Sequence, residues 1–152
     1  MQKGVNTILL IHIYVLLLLF LSGLEDLCTR KVSLSYLLLF FCGVFLIGIF
    51  YQHTSWVFMV GGMMMGVCIV SLRFLGIGML GAGDGIVLLI TGIVLGFGNN
   101  MELLMIGLLL ASLYGIGRSL KDGLRSKKEI PFIPFLFIGY LIQLFWNGGN
   151  YG

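Results

Sequence analysis

The sequence predicts an all-α, polytopic membrane protein. It reads as a single domain over residues 1–152, with about six helices crossing the bilayer. Three observations predict this. Hydrophobic residues make up 59% of the chain and charged residues only 10%. Mean hydropathy is +1.10, more than a soluble domain of this length needs to fill its core. The apolar residues also gather into runs of spanning length, and short segments between the runs hold most of the charge.

A spanning helix needs about 20 mostly apolar residues. The first run is Val5–Leu24. Lys3 and an apolar stretch invite comparison with a signal peptide, but the stretch is too long and no small-residue cleavage site follows. It therefore reads as a membrane helix. Ser33–Phe50 and Ser55–Leu75 come next. Gly85–Phe97 is short unless the Gly76–Gly83 segment contributes to it. Met101–Gly117 and Ile130–Trp146 complete the set, and Asn147–Gly152 is a short polar tail. Pro131 suits the first turn of the last helix, and Pro134 is expected to kink it.

The charges set an orientation. Positive residues favour cytoplasmic loops. Arg30 and Lys31 fall in the first loop, Arg73 flanks the third, and Arg118, Lys121, Arg125, Lys127 and Lys128 fall in the fifth. These are eight of the nine basic residues, and only Lys3 lies on the other side. The odd loops are thus expected in the cytoplasm and both termini outside, with Tyr51, Trp56 and Trp146 at the outer interface. Basic residues confined to short loops between apolar runs give no argument for nucleic acid. The fifth-loop cluster suits anionic lipid.

Glycine is abundant, at 23 residues. Gly62-x-x-x-Gly66 and Gly92-x-x-x-Gly96 are small-residue spacings that let helices approach closely. Packing within the chain is expected in preference to a dimer contact. Cys28, Cys42 and Cys68 form no C-x-x-C pair, so no zinc site or disulfide framework is expected. Cys42 and Cys68 are expected to pack as small hydrophobes. Gly76-Ile-Gly78-Met-Leu-Gly81 spells a dinucleotide fingerprint, but no strand precedes it, so that reading is rejected. His12 is expected to pack or to make an interhelical hydrogen bond, in preference to catalysis, and His53 to be solvated. Glu102 is expected to favour the start of the fifth span.

Two carboxylates stand out. Asp26 ends the first run, and Asp84 opens the fourth inside Gly81-Ala-Gly83-Asp84-Gly85. Two spans lie between them, so both belong on the same membrane face. A carboxylate at the edge of bilayer depth is costly and is a functional-site hypothesis by default. Two carboxylates sharing a site hold one proton between them. The ionised one can take a proton from water while the neutral one hydrogen-bonds the scissile carbonyl, which is the logic of aspartic proteases. Gly81 and Gly83 would shape the loop and let backbone approach closely. The competing reading is structural: Asp84 as the N-cap of its helix, and Asp26 paired with Arg30.

Gly81-x-Gly83-Asp84 resembles the GxGD motif of the type IV prepilin peptidases and their archaeal preflagellin relatives. Asp26-Leu27-Cys28-Thr29-Arg30-Lys31-Val32 is similar to that family's first motif. Ile130-Pro131-Phe132-Ile133-Pro134-Phe135-Leu136 is similar to the opening of its last helix. The three motifs occur in family order and span nearly the whole chain. The chain has Val32-Ser33-Leu34 where the family commonly has Ile-Pro-Asn, and Ile86 where it commonly has a lysine. It lacks the cytoplasmic C-x-x-C insertion and so resembles the short form. The resemblance implies a GxGD-type aspartic endopeptidase with Asp26 and Asp84 as catalytic residues and no metal or cofactor. It implies a prepilin-like membrane protein as substrate, cut behind its basic leader at the cytoplasmic face of the cell membrane. The alternatives are a presenilin-like intramembrane protease, and a small transporter or assembly scaffold without catalysis.

Overall fold

The computed structural model describes residues 2–29, 33–50, 56–76, 81–122 and 130–147. Among the described residues all regular structure is helical: α1 (Gln2–Thr29), α2 (Leu34–Phe50), α3 (Trp56–Phe74), α4 (Ala82–Asp122) and α5 (Ile133–Asn147). Among the described residues three helices are long and apolar enough to cross a membrane, through Leu9–Thr29, Val57–Phe74 and Ala82–Lys121. Ser35–Val44 and Ile133–Trp146 are shorter apolar stretches. Arg30, Lys31, Tyr51, His53, Gly78, Arg125, Lys127 and Lys128, which figure in the sequence reading, lie outside the described residues, as does the tail after Asn147.

α4 is not one straight rod. Gly96 has φ 75° and ψ 176°, a conformation that a side chain makes costly and glycine does not. Asn100 Nδ2 donates to the Leu88 carbonyl at 3.0 Å. Twelve residues of straight helix would hold those positions about 18 Å apart. The chain therefore doubles back near Gly96, giving a first arm (82–95) and a second arm (97–122). Thr91 Oγ1, which donates to Asn100 Oδ1 at 2.8 Å, fastens the reversal from the inside. The sequence placed a break between Phe97 and Met101. The reversal instead falls at Gly96, because glycine tolerates the backbone and Asn100 finds buried partners.

The first arm packs antiparallel on α3. Gly62 lies against Gly92 so closely that neither has room for a Cβ, and Gly66 meets the Leu89 backbone in the same way. At Gly85 a Cβ would stand 2.7 Å from Val70 Cγ2. The expected packing within the chain is thus observed, with the second glycine pair dividing its roles: Gly92 packs and Gly96 turns. The second arm packs antiparallel on α5, where Leu136 fills the space over Gly107 and Ile106 lies over Gly139. α5 packs antiparallel on α1 through Gly23 against Pro134 and Phe20 against Phe137. Near the middle of that seam His12 Nδ1 and the Tyr140 hydroxyl are 2.7 Å apart, as expected for His12. α2 is joined to α1 where the Tyr14 hydroxyl donates to the Phe40 carbonyl, over the space left by Gly43.

Leu18 and Leu19 of α1, Leu37 and Val44 of α2, Val87, Leu88 and Leu103 of α4, and Ile133 and Leu136 of α5 form the core. The outward faces are apolar too: Val57, Phe74 and Phe145 are 77%, 86% and 90% exposed. A surface of that kind suits lipid. Cys42 and Cys68 lie on it, exposed, so the expectation that they pack inside is corrected. α1 also runs past the expected Leu24 to Thr29. With these pairings the end of α1, the start of α2, the end of α3, both ends of α4 and the start of α5 lie at one end of the bundle.

Candidate functional site

That end holds both aspartates. Asp26 lies in the last turn of α1, inside the helix and not in the loop beyond it, and is only 8% exposed. Its Oδ2 accepts the Ile133 backbone N–H at 3.3 Å. The first N–H groups of a helix have no intrahelical partner. α5 starts after Phe132, which has no capping oxygen, and Pro134 has no N–H to offer. Asp26 therefore caps α5 across the bundle, 107 residues away in the chain. Arg30, the local partner expected in the structural reading, lies outside the described residues.

Asp84 is the third residue of α4 and is half-buried. Its Oδ2 accepts the Gly81 N–H at 2.9 Å, and Gly85 N–H donates to the Gly81 carbonyl at 3.3 Å. Gly81 thus holds the N-cap position, and Asp84 reaches back to it as the third residue of a capping box does. The expectation of Asp84 as the N-cap is corrected: the helix begins earlier, at Ala82. Gly81 has a direct reason to be glycine, since a Cβ there would stand 3.2 Å from Asp84 Oδ2. Gly83 lies inside the first turn of α4. Among the described glycines positive φ occurs at Gly76 and Gly96, not at Gly81 or Gly83.

Asp84 lies close enough to Asp26 for the two charges to interact. In each, Oδ2 takes the bond from backbone. The arrangement is a pair of carboxylates, each anchored through one oxygen to a different helix start. Two carboxylates so placed can share a proton. Among the described residues no group of three or more His, Cys, Asp or Glu side chains could hold a metal ion.

Sequence reasoning missed three features. Glu25 stands beside Asp26, and its Oε2 accepts the Ser33 N–H at 3.0 Å, just before α2. Two adjacent acids in a chain with six were the available signal. Glu102 does more than favour a helix start: Gln143 Nε2 donates to its Oε2 at 3.0 Å and to the Asn99 carbonyl at 2.9 Å. Thr91 and Asn100 form a buried polar pair inside apolar runs, and only their polarity hinted at it. Comparison with family profiles, curated proteins and solved structures returns no match for this chain.

Proposed function

We propose that this chain is a membrane aspartic endopeptidase of the prepilin peptidase type, with Asp26 and Asp84 as its catalytic pair. The observation that carries the reading is the placement of these two carboxylates at the same bundle end, each anchored through Oδ2 to backbone. α1, α2, α3, the two arms of α4, and α5 are the six spans. The shared end faces the cytoplasm by the distribution of basic residues.

The chemistry is a hydrolysis. The ionised aspartate takes a proton from water, and the water oxygen attacks the scissile carbonyl carbon. The protonated aspartate hydrogen-bonds the carbonyl oxygen as charge develops there. The C–N bond then breaks, and a proton passes from the pair to the leaving amine. The pair ends as it began, with one proton between two carboxylates. Backbone N–H donors on Oδ2 fix each carboxylate. The substrate class is a prepilin-like protein, whose basic leader reaches the cytoplasmic face while its apolar helix lies in the bilayer. No cofactor is required.

A second reading has its own observation. Each aspartate caps a helix start, which is work a scaffold or small transporter would also need. The position of Asp26 inside α1 also suits a presenilin-like intramembrane protease. Cleavage of a co-expressed prepilin by the wild-type chain, but not by Asp26→Asn or Asp84→Asn at equal abundance, separates the enzyme from the scaffold. The cut position separates the two proteases: behind a basic leader at the membrane face, or within an apolar helix.

A further inference from the structure

Successive residues of an α-helix point about 100° apart, so Glu25 and Asp26 leave the last turn of α1 in different directions. Asp26 goes to α5. Glu25 goes to α2, where its Oε2 accepts the Ser33 N–H. Ser33 immediately precedes Leu34, the first residue of α2. The Glu25 carbonyl is engaged as well, by Thr29 Oγ1 at 2.9 Å. The other joint between these helices, Tyr14 with Phe40, lies 11 residues back along α1, about 16 Å away. Among the described residues, the Glu25–Ser33 bond is therefore the hydrogen bond that ties α2 to the aspartate end of α1. α2 and α5 are thus both fastened to one helical turn of α1 by hydrogen bonds.

We propose that Glu25 is a positioning residue for the carboxylate pair. By holding α2 against the last turn of α1, it fixes the turn that carries Asp26 and so sets where Asp26 stands relative to Asp84. It does not touch reacting atoms. The inference rests on the aspartic reading above. What Glu25 supplies is an acceptor oxygen in the right place, and glutamine supplies one too.

The test uses the full chain in membranes and a reporter made of a basic leader fused to an apolar helix. Glu25→Ala is expected to lower kcat by roughly tenfold or more, since a small misplacement at a distance from chemistry has effects of that order. KM should stay within about threefold, and Glu25→Gln should restore kcat to within about threefold of wild type. A second readout does not depend on cleavage. Cys28 of α1 and Cys42 of α2 are both exposed, so spin labels on them report the spacing of the two helices in a Cys68→Ser background. The distance distribution should be narrow with Glu25 and with Gln, and broader with Ala.

A Glu25→Ala variant with wild-type rate, or with a reduced rate and unchanged spacing, overturns the proposal. So does a Gln variant as impaired as Ala, which would make the charge the point. Asp84→Asn is run in parallel. Should it still cleave, the aspartic reading falls, and the spacing alone then decides for or against Glu25.

Discussion

Removing the Asp26 carboxylate should cost stability as well as activity, and the two losses can be separated. The Ile133 N–H at the start of α5 depends on Asp26 Oδ2 at 3.3 Å. Both residues are buried, at 8% and 0% exposure, so water cannot take over. Asp26→Ala leaves a buried donor unpaired, at a cost of about 1–3 kcal/mol. Asp26→Asn keeps an acceptor oxygen of the same reach. It loses only the charge at the helix N-terminus, about 0.3–1 kcal/mol. The expected order is wild type, then Asn, then Ala, with Ala about 1–2 kcal/mol below Asn. Unfolding in detergent, followed by circular dichroism, measures it. Ile133→Pro then tests the cause. Proline is tolerated at the first helical position and removes the donor itself. In that background Asp26→Ala should cost little, and the double-mutant cycle should show coupling of about 1–2 kcal/mol. Full additivity of the two substitutions would refute the capping role.

The other expectations are simpler. Gly92→Leu should disrupt the α3–α4 crossing by several kcal/mol, as overpacking against backbone does, because Gly62 leaves no room there. A stable, normally inserted Leu variant would contradict the close approach. Asn100→Leu should loosen the reversal at Gly96 by removing the bonds of Asn100 to Thr91 and to the Leu88 carbonyl, costing about 1–3 kcal/mol. Protease sensitivity between the two arms reports it, and wild-type resistance would count against the hairpin. Cysteines placed at Ser126 and Thr54 should label from opposite sides of the membrane, with Ser126 on the cytoplasmic side. Labelling of Ser126 from outside intact cells would reverse the orientation.

The helices were largely legible in the sequence, and their connections were not. α2 and α3 begin and end within a residue or so of the apolar runs, because run length and helix length answer to the same hydrophobic limit. α1 was underestimated. Its end is polar, and Glu25 and Asp26 there accept bonds from the Ser33 and Ile133 N–H groups. Such partners lie on other helices, and no local pattern announces them. The Gly96 reversal was missed by a few residues for a similar reason. Asn99 and Asn100 read as a polar break, whereas Asn100 is fully buried against Thr91 and Leu88. For the site, parity between spans put both aspartates on one face, and the fold sets them at one bundle end. Which oxygen each commits to backbone, and the presence of Glu25 beside them, required the packed structure.

The aspartic mechanism itself is tested most directly by the two asparagine variants. Asparagine still accepts the N–H bonds that Asp26 and Asp84 accept, but it cannot act as a base or share a titrating proton. The measurement is the gel shift of a prepilin reporter, with enzyme abundance quantified in the same membranes. Asp26→Asn and Asp84→Asn should each abolish processing while remaining inserted and folded. The double variant should be no worse than either one, because a pair that works as a unit is lost only once. Wild-type processing by either single variant, at equal abundance, would contradict the account.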